Sequence, residues 1–174
     1  MPRLPLKALL GAIAVISFLG FSDASYLAAE HYLGATPACS ILEGCETVTK
    51  SGYATVEGTF NALTGGDWAL IIPRGISVAL LGGIYYLIFF VASVAAWDGQ
   101  NRWIFRIAPF SVLGLAASAW FLYAQAALLK AFCLYCIVSA ATSALLFVVA
   151  AILIQWDRSR RRAERAQIAH LSTK

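Results

Sequence analysis

The chain has 174 residues, 60% of them hydrophobic and 13% charged, with a mean hydropathy of +0.75. An average soluble domain is about 45–50% apolar and about 25% charged, so too few polar residues remain to cover a small soluble enzyme, and disorder is excluded by the same hydrophobicity. The net charge of +4 sits mostly in a few short segments, a pattern that marks membrane orientation rather than nucleic-acid binding.

Four apolar stretches follow one another: 8–29, 76–97, 107–129 and 131–156. The first carries one charge, Asp23, and the other three carry none. About 20 apolar residues in a helix cross a hydrocarbon core of about 30 Å. Without water to satisfy the backbone, each such span must be helical. The expected fold is therefore an all-α membrane protein, a four-helix bundle forming one domain.

Ten of the thirteen Lys and Arg residues fall on one side of such a bundle. They are Arg3 and Lys7 before the first span, Arg102 and Arg106 between the second and third, and Arg158, Arg160, Arg161, Arg162, Arg165 and Lys174 after the last. Only Lys50, Arg74 and Lys130 fall on the other. This bias predicts cytoplasmic termini, with Trp97, Trp103 and Trp156 at the cytoplasmic interface. A cleaved signal peptide is the competing reading of the first segment, but its apolar run exceeds the usual core of about 7–15 residues. The basic tail 157–174 reads as a stop-transfer flank near anionic lipid.

Segment 30–73 is the expected outer cap. Its Gly44, Gly52, Gly58, Gly65, Gly66 and Pro37 suit turns and short helices. Residues 67–73 read as an interfacial anchor leading into the second span. Small residues recur every fourth position, at Gly75, Ala79 and Gly83, at Gly114 and Ser118, and at Ser139 and Ser143. That spacing lets helix backbones approach closely within a bundle.

Cys39 and Cys45 lie in the cap, and Cys133 and Cys136 open the fourth span. The expected topology puts all four on the outer side, where disulfides persist. Two thiols at i and i+3 share a helix face, and a helix N-terminus favours the thiolate, the attacking species in disulfide exchange. A four-sulfur zinc site and two inert structural disulfides are the alternatives. Covalent haem attachment needs His after the second cysteine, where Ile137 stands.

Several motifs in order resemble the vitamin K epoxide reductase family of membrane thiol oxidoreductases. They are Ser25-Tyr26-Leu27; Cys39 and Cys45 followed by Ser51-Gly52-Tyr53-Ala54; the run from Gly75 through Leu81-Gly82-Gly83 to Tyr85-Tyr86; and Phe132-Cys133-Leu134-Tyr135-Cys136. The four-span family of disulfide-bond protein B carries its cysteine pairs in the opposite order. The resemblance is to a bacterial-type member without a fused thioredoxin domain, since about 18 residues follow Trp156 and a domain takes on the order of a hundred.

The resemblance implies an electron relay. A separate thioredoxin-fold protein reduces the pair Cys39 and Cys45, this pair exchanges with Cys133, and Cys136 faces a quinone (ubiquinone or menaquinone) held among the helices. No metal is implied. Ser51 is expected either to hydrogen-bond near the quinone or to cap a local turn. Asp23, an ionisable group in a span, reads either as a proton relay or as a cap near the helix end. Tyr86, Trp120 and Tyr123 are candidates for the quinone pocket or for ordinary packing.

Two departures from the family pattern matter. Residues 56–74 extend the cap as in animal members, and Ala140 stands where animal members carry a tyrosine tied to vitamin K binding. The second favours a plain quinone over an epoxide as substrate; a bacterial inner membrane is the expected location, and reduction of vitamin K epoxide in an endoplasmic reticulum membrane is the alternative. A small four-span transporter is the reading from another class, and it expects charges deep in the spans that the last three stretches lack. A structural membrane subunit would leave the Cys-x-x-Cys pair dispensable.

Overall fold

Leu6 opens a helix that runs without a breaker to Leu33, where Gly34 takes a left-handed conformation (φ 68°) and stops it. This is α1 (Leu6–Leu33) in a computed structural model of the chain, which describes residues 6–39, 44–66, 73–97 and 101–172. The cap then contributes α2 (Cys45–Thr49), a 3-10 turn (Gly52–Ala54) and α3 (Val56–Thr64). Thr55 caps α3 by accepting from the Gly58 amide at 3.3 Å. Gly65 ends it at φ 69°. The chain returns through an isolated bridge between Thr55 and Ser77 into α4 (Val78–Trp97).

The third span is built in pieces. It starts as α5 (Asn101–Ile107), tightens to a 3-10 turn (Ala108–Phe110) at Pro109, continues as α6 (Ser111–Tyr123) and ends in a π-helical turn (Ala124–Leu129). Lys130 breaks it in a left-handed conformation at φ 50°. After Cys133 the chain enters α7 (Leu134–Ser172), which carries the fourth span and the basic tail in one helix.

Four of these helical stretches are long and apolar enough to cross a membrane. Their outward faces carry Val15, Phe18, Ile88, Val91, Leu145 and Val148, all exposed, as a lipid-facing surface requires. The inward faces bury Leu10, Ile13, Tyr86, Phe89, Ile104, Leu146 and Leu153. α4 packs most extensively on α1. Gly20 permits this: a Cβ there would lie 2.5 Å from the Tyr86 ring. The four-span all-α architecture is the one expected from hydropathy.

Some expected details change. The helix that carries the third span begins at Asn101, ahead of the apolar run that starts at 107, and includes Arg102 and Arg106. Residues 131–133 lie outside the fourth helix. The tail up to Ser172 is helical, held by Arg161–Asp157 and Arg160–Glu164 pairs one turn apart. Gly75 stands outside α4 at φ 81°, so it is a turn residue and not part of a small-residue helix seam. The expected anchor falls mostly on residues 67–72, outside the described residues.

Candidate functional site

Segment 130–136 is the hinge of the site. Cys133 occupies the N-cap position of α7: its carbonyl accepts the first helical bond from Ile137 N at 3.1 Å, and α7 begins at the next residue. The N-cap position sets the Cys133 side chain beside the free N–H groups of the first helical turn, and Cys136, at the third helical position, packs in the same cluster. The two sulfurs are neighbours, as the i, i+3 spacing predicts, although only Cys136 lies within the helix. Cys133 is fully buried.

The cap delivers the other pair to the same place. Cys39 and Cys45 are joined by a disulfide with 6.3 Å between their Cα atoms, while Cys133 and Cys136 are free. Cys45, Val48 and Cys133 form one buried cluster, against which Cys39 and Cys136 pack. Gly44 makes that approach possible. A Cβ at Gly44 would lie 2.6 Å from both the Phe132 nitrogen and the Phe132 oxygen, so only glycine lets the cap backbone rest on this segment. Two tyrosines fasten the other side: Tyr26 Oη accepts from Ala38 N at 3.2 Å, and Tyr135 Oη donates to Ala38 O at 3.1 Å. Their rings lie 5.0 Å apart.

Beneath this cluster a cavity of about 320 Å³ opens among the helices. Cys136 is the cysteine that lines it, together with Tyr53, Tyr85, Tyr86, Phe121 and Gln125 among others. Tyr86 is anchored by its hydroxyl, which bonds to Ser139 O at 2.9 Å, Thr142 Oγ1 at 2.9 Å and Ser143 Oγ at 2.7 Å. The mostly aromatic and aliphatic lining with few polar groups fits a flat, apolar ring compound. No group of three or more His, Cys, Asp or Glu able to hold a metal occurs among the described residues.

The remaining sequence candidates are placed as follows. Of Tyr86, Trp120 and Tyr123, only Tyr86 lines the cavity; Tyr123 is exposed, and Trp120 Nε1 is buried without a partner. Ser51 donates its hydroxyl to Val48 O at 2.7 Å and is not among the cavity-lining residues. Asp23 lies well inside α1, with Oδ2 buried and unpartnered, so it caps no helix end. Sequence reasoning missed Gln125, Tyr85 and Phe121. An amide in an otherwise apolar stretch was the available signal for Gln125.

A four-span bundle with two cysteine pairs packed at one end, above an apolar cavity, has the build of a membrane oxidoreductase. The chain belongs to the vitamin K epoxide reductase family, whose sequence profile matches residues 11–151. None of the curated proteins compared with it gives a match.

Proposed function

We propose that the chain oxidises a separate thioredoxin-fold protein on the outer side of a bacterial inner membrane and passes the electrons to a membrane quinone. The partner's dithiol reduces the Cys39–Cys45 bond by thiol–disulfide exchange, so the partner leaves with a disulfide and the cap holds two thiols. One cap thiol attacks a Cys133–Cys136 disulfide at Cys133, and the other resolves the mixed disulfide. Cys39–Cys45 is then restored, and Cys133 and Cys136 are both reduced. Their two electrons and two protons pass to quinone at the cavity as their disulfide re-forms. A quinone supplies a two-electron, two-proton acceptor dissolved in lipid, and quinol is the product.

The observation that carries this reading is the packing of all four cysteines in one cluster that ends, at Cys136, on the apolar cavity. Ala140 lines the cavity, which leaves it without the tyrosine of animal members and supports a plain quinone, ubiquinone or menaquinone, as acceptor. The test uses membranes containing the protein, a reduced thioredoxin-fold protein and quinone. Quinol forms with the wild-type chain and falls to background with Cys136→Ala. Continued quinol formation by that variant overturns the relay.

A further inference from the structure

Gln125 is 1% exposed, and it sits in the π-helical turn that ends the third span. Its Oε1 accepts from the backbone N–H of Cys133 at 2.7 Å, across eight residues of chain. Its own carbonyl accepts from Ala131 N at 3.1 Å. One residue therefore ties down both ends of the 131–133 segment, which has no regular structure to hold it. The π-helical turn supplies the geometry. An inserted residue in a helix redirects the side chains beside it, and such turns recur at functional sites.

The bond to Cys133 completes a capping arrangement. In a capping box the third helical residue reaches back to the N-cap amide with a Glu or Gln side chain. Here that third residue is Cys136, whose short thiol side chain has no oxygen to reach back with. Gln125 fills the vacancy from another helix. Without it the Cys133 amide would be a buried donor with no acceptor, and the segment would be free to turn its sulfur away from Cys136. Gln125 also lines the cavity, so the residue that orients Cys133 borders the space that Cys136 faces.

We infer that Gln125 is a positioning residue for the redox pair, holding the Cys133 backbone through Oε1 so that the two sulfurs stay in bonding range. Its catalytic consequence rests on the relay proposed above; its geometric consequence does not. The first measurement is closure of the Cys133–Cys136 disulfide by the soluble oxidant diamide. It uses the full chain with Cys39 and Cys45 replaced by serine. Each closure takes two electrons and two protons from the two thiols and reduces one diamide to its hydrazine. Gln125→Met, which keeps the length and removes the acceptor, is expected to slow closure about tenfold. Gln125→Glu, which keeps an oxygen at this position, is expected to stay within about threefold of wild type.

The second measurement is quinol formation driven by dithiothreitol in otherwise wild-type chains, expressed per active Cys133–Cys136 pair. Gln125→Met is expected to lower kcat about tenfold and leave the KM for quinone within about twofold. A general packing defect would instead reduce the number of active pairs or raise KM. Closure by diamide at the wild-type rate in Gln125→Met, or equal slowing in the Met and Glu variants, overturns the positioning role. Slow closure in Gln125→Met, with no quinol formed by the wild-type chain, supports the role and overturns the relay instead.

Discussion

At the level of single residues, the site depends on two backbones in contact. Gly44 rests on Phe132 with no room for a Cβ, and the atoms on the far side are peptide nitrogen and oxygen, which no rotamer change can move. Gly44→Ala must therefore lift the cap from Cys133. Misplacing reacting groups by about 1 Å can cost about a hundredfold in rate, and a loss of that order is expected in transfer from the cap pair to Cys133. Rapid-quench trapping of the two disulfides measures it. Diamide closure of Cys133–Cys136 in the same variant should remain at the wild-type rate. Asp23 has a different standing. Its Oδ2 is buried and unpartnered inside the first span, where an ionisable group points to a role in proton movement. A carboxylate so placed suits a proton acceptor for the thiols. Asp23→Asn should then lower kcat for quinol formation by about tenfold or more with quinone KM unchanged. An unchanged kcat across the pH range would leave Asp23 a structural group.

Among the elements, the number of spans was legible because apolar length is a direct consequence of bilayer thickness. Where the spans end was less legible, because polar and charged residues can continue a helix past the hydrocarbon, as Arg102 and Arg106 do for the third. The place of the break after it was legible, since Lys130 separates the two apolar stretches, but its geometry was not. Lys130 adopts a left-handed conformation that nothing about lysine favours, and the π-helical turn before it has no composition signal. Close packing of α1 on α4 was partly legible as small residues, but Gly20 escaped notice because its partner Tyr86 lies on another helix. That contact gives an element-scale prediction. The Tyr86 ring cannot retreat without breaking its bonds to Ser139, Thr142 and Ser143. Gly20→Ala should therefore destabilise the bundle by about 1–3 kcal/mol, read as a lower Tm in detergent.

In the whole molecule, the arginine-rich tail and the cysteine cluster lie at opposite ends. The sequence made the four cysteines and their pairing order readable, whereas the cavity, the Gly44 contact and the Gln125 bridge arise only when distant segments meet. The cap pair and Cys133 share one cluster at the end of the bundle that carries α2, while the arginine-rich part of α7 extends from the other. Basic flanks are retained in the cytoplasm, so this polarity would put the thiol chemistry outside, in the compartment where a newly made disulfide survives. The arrangement can be tested without any redox assay. In a chain whose four cysteines are serine, Gly52→Cys introduces a thiol at an exposed cap position with no neighbour crowding it. Arg165→Cys introduces one on the exposed tail. In intact cells a membrane-impermeant maleimide should label the first variant readily and the second only after permeabilisation. The reverse pattern would put the cap in the cytoplasm, where thiols are kept reduced, and a disulfide-forming role would no longer fit the molecule.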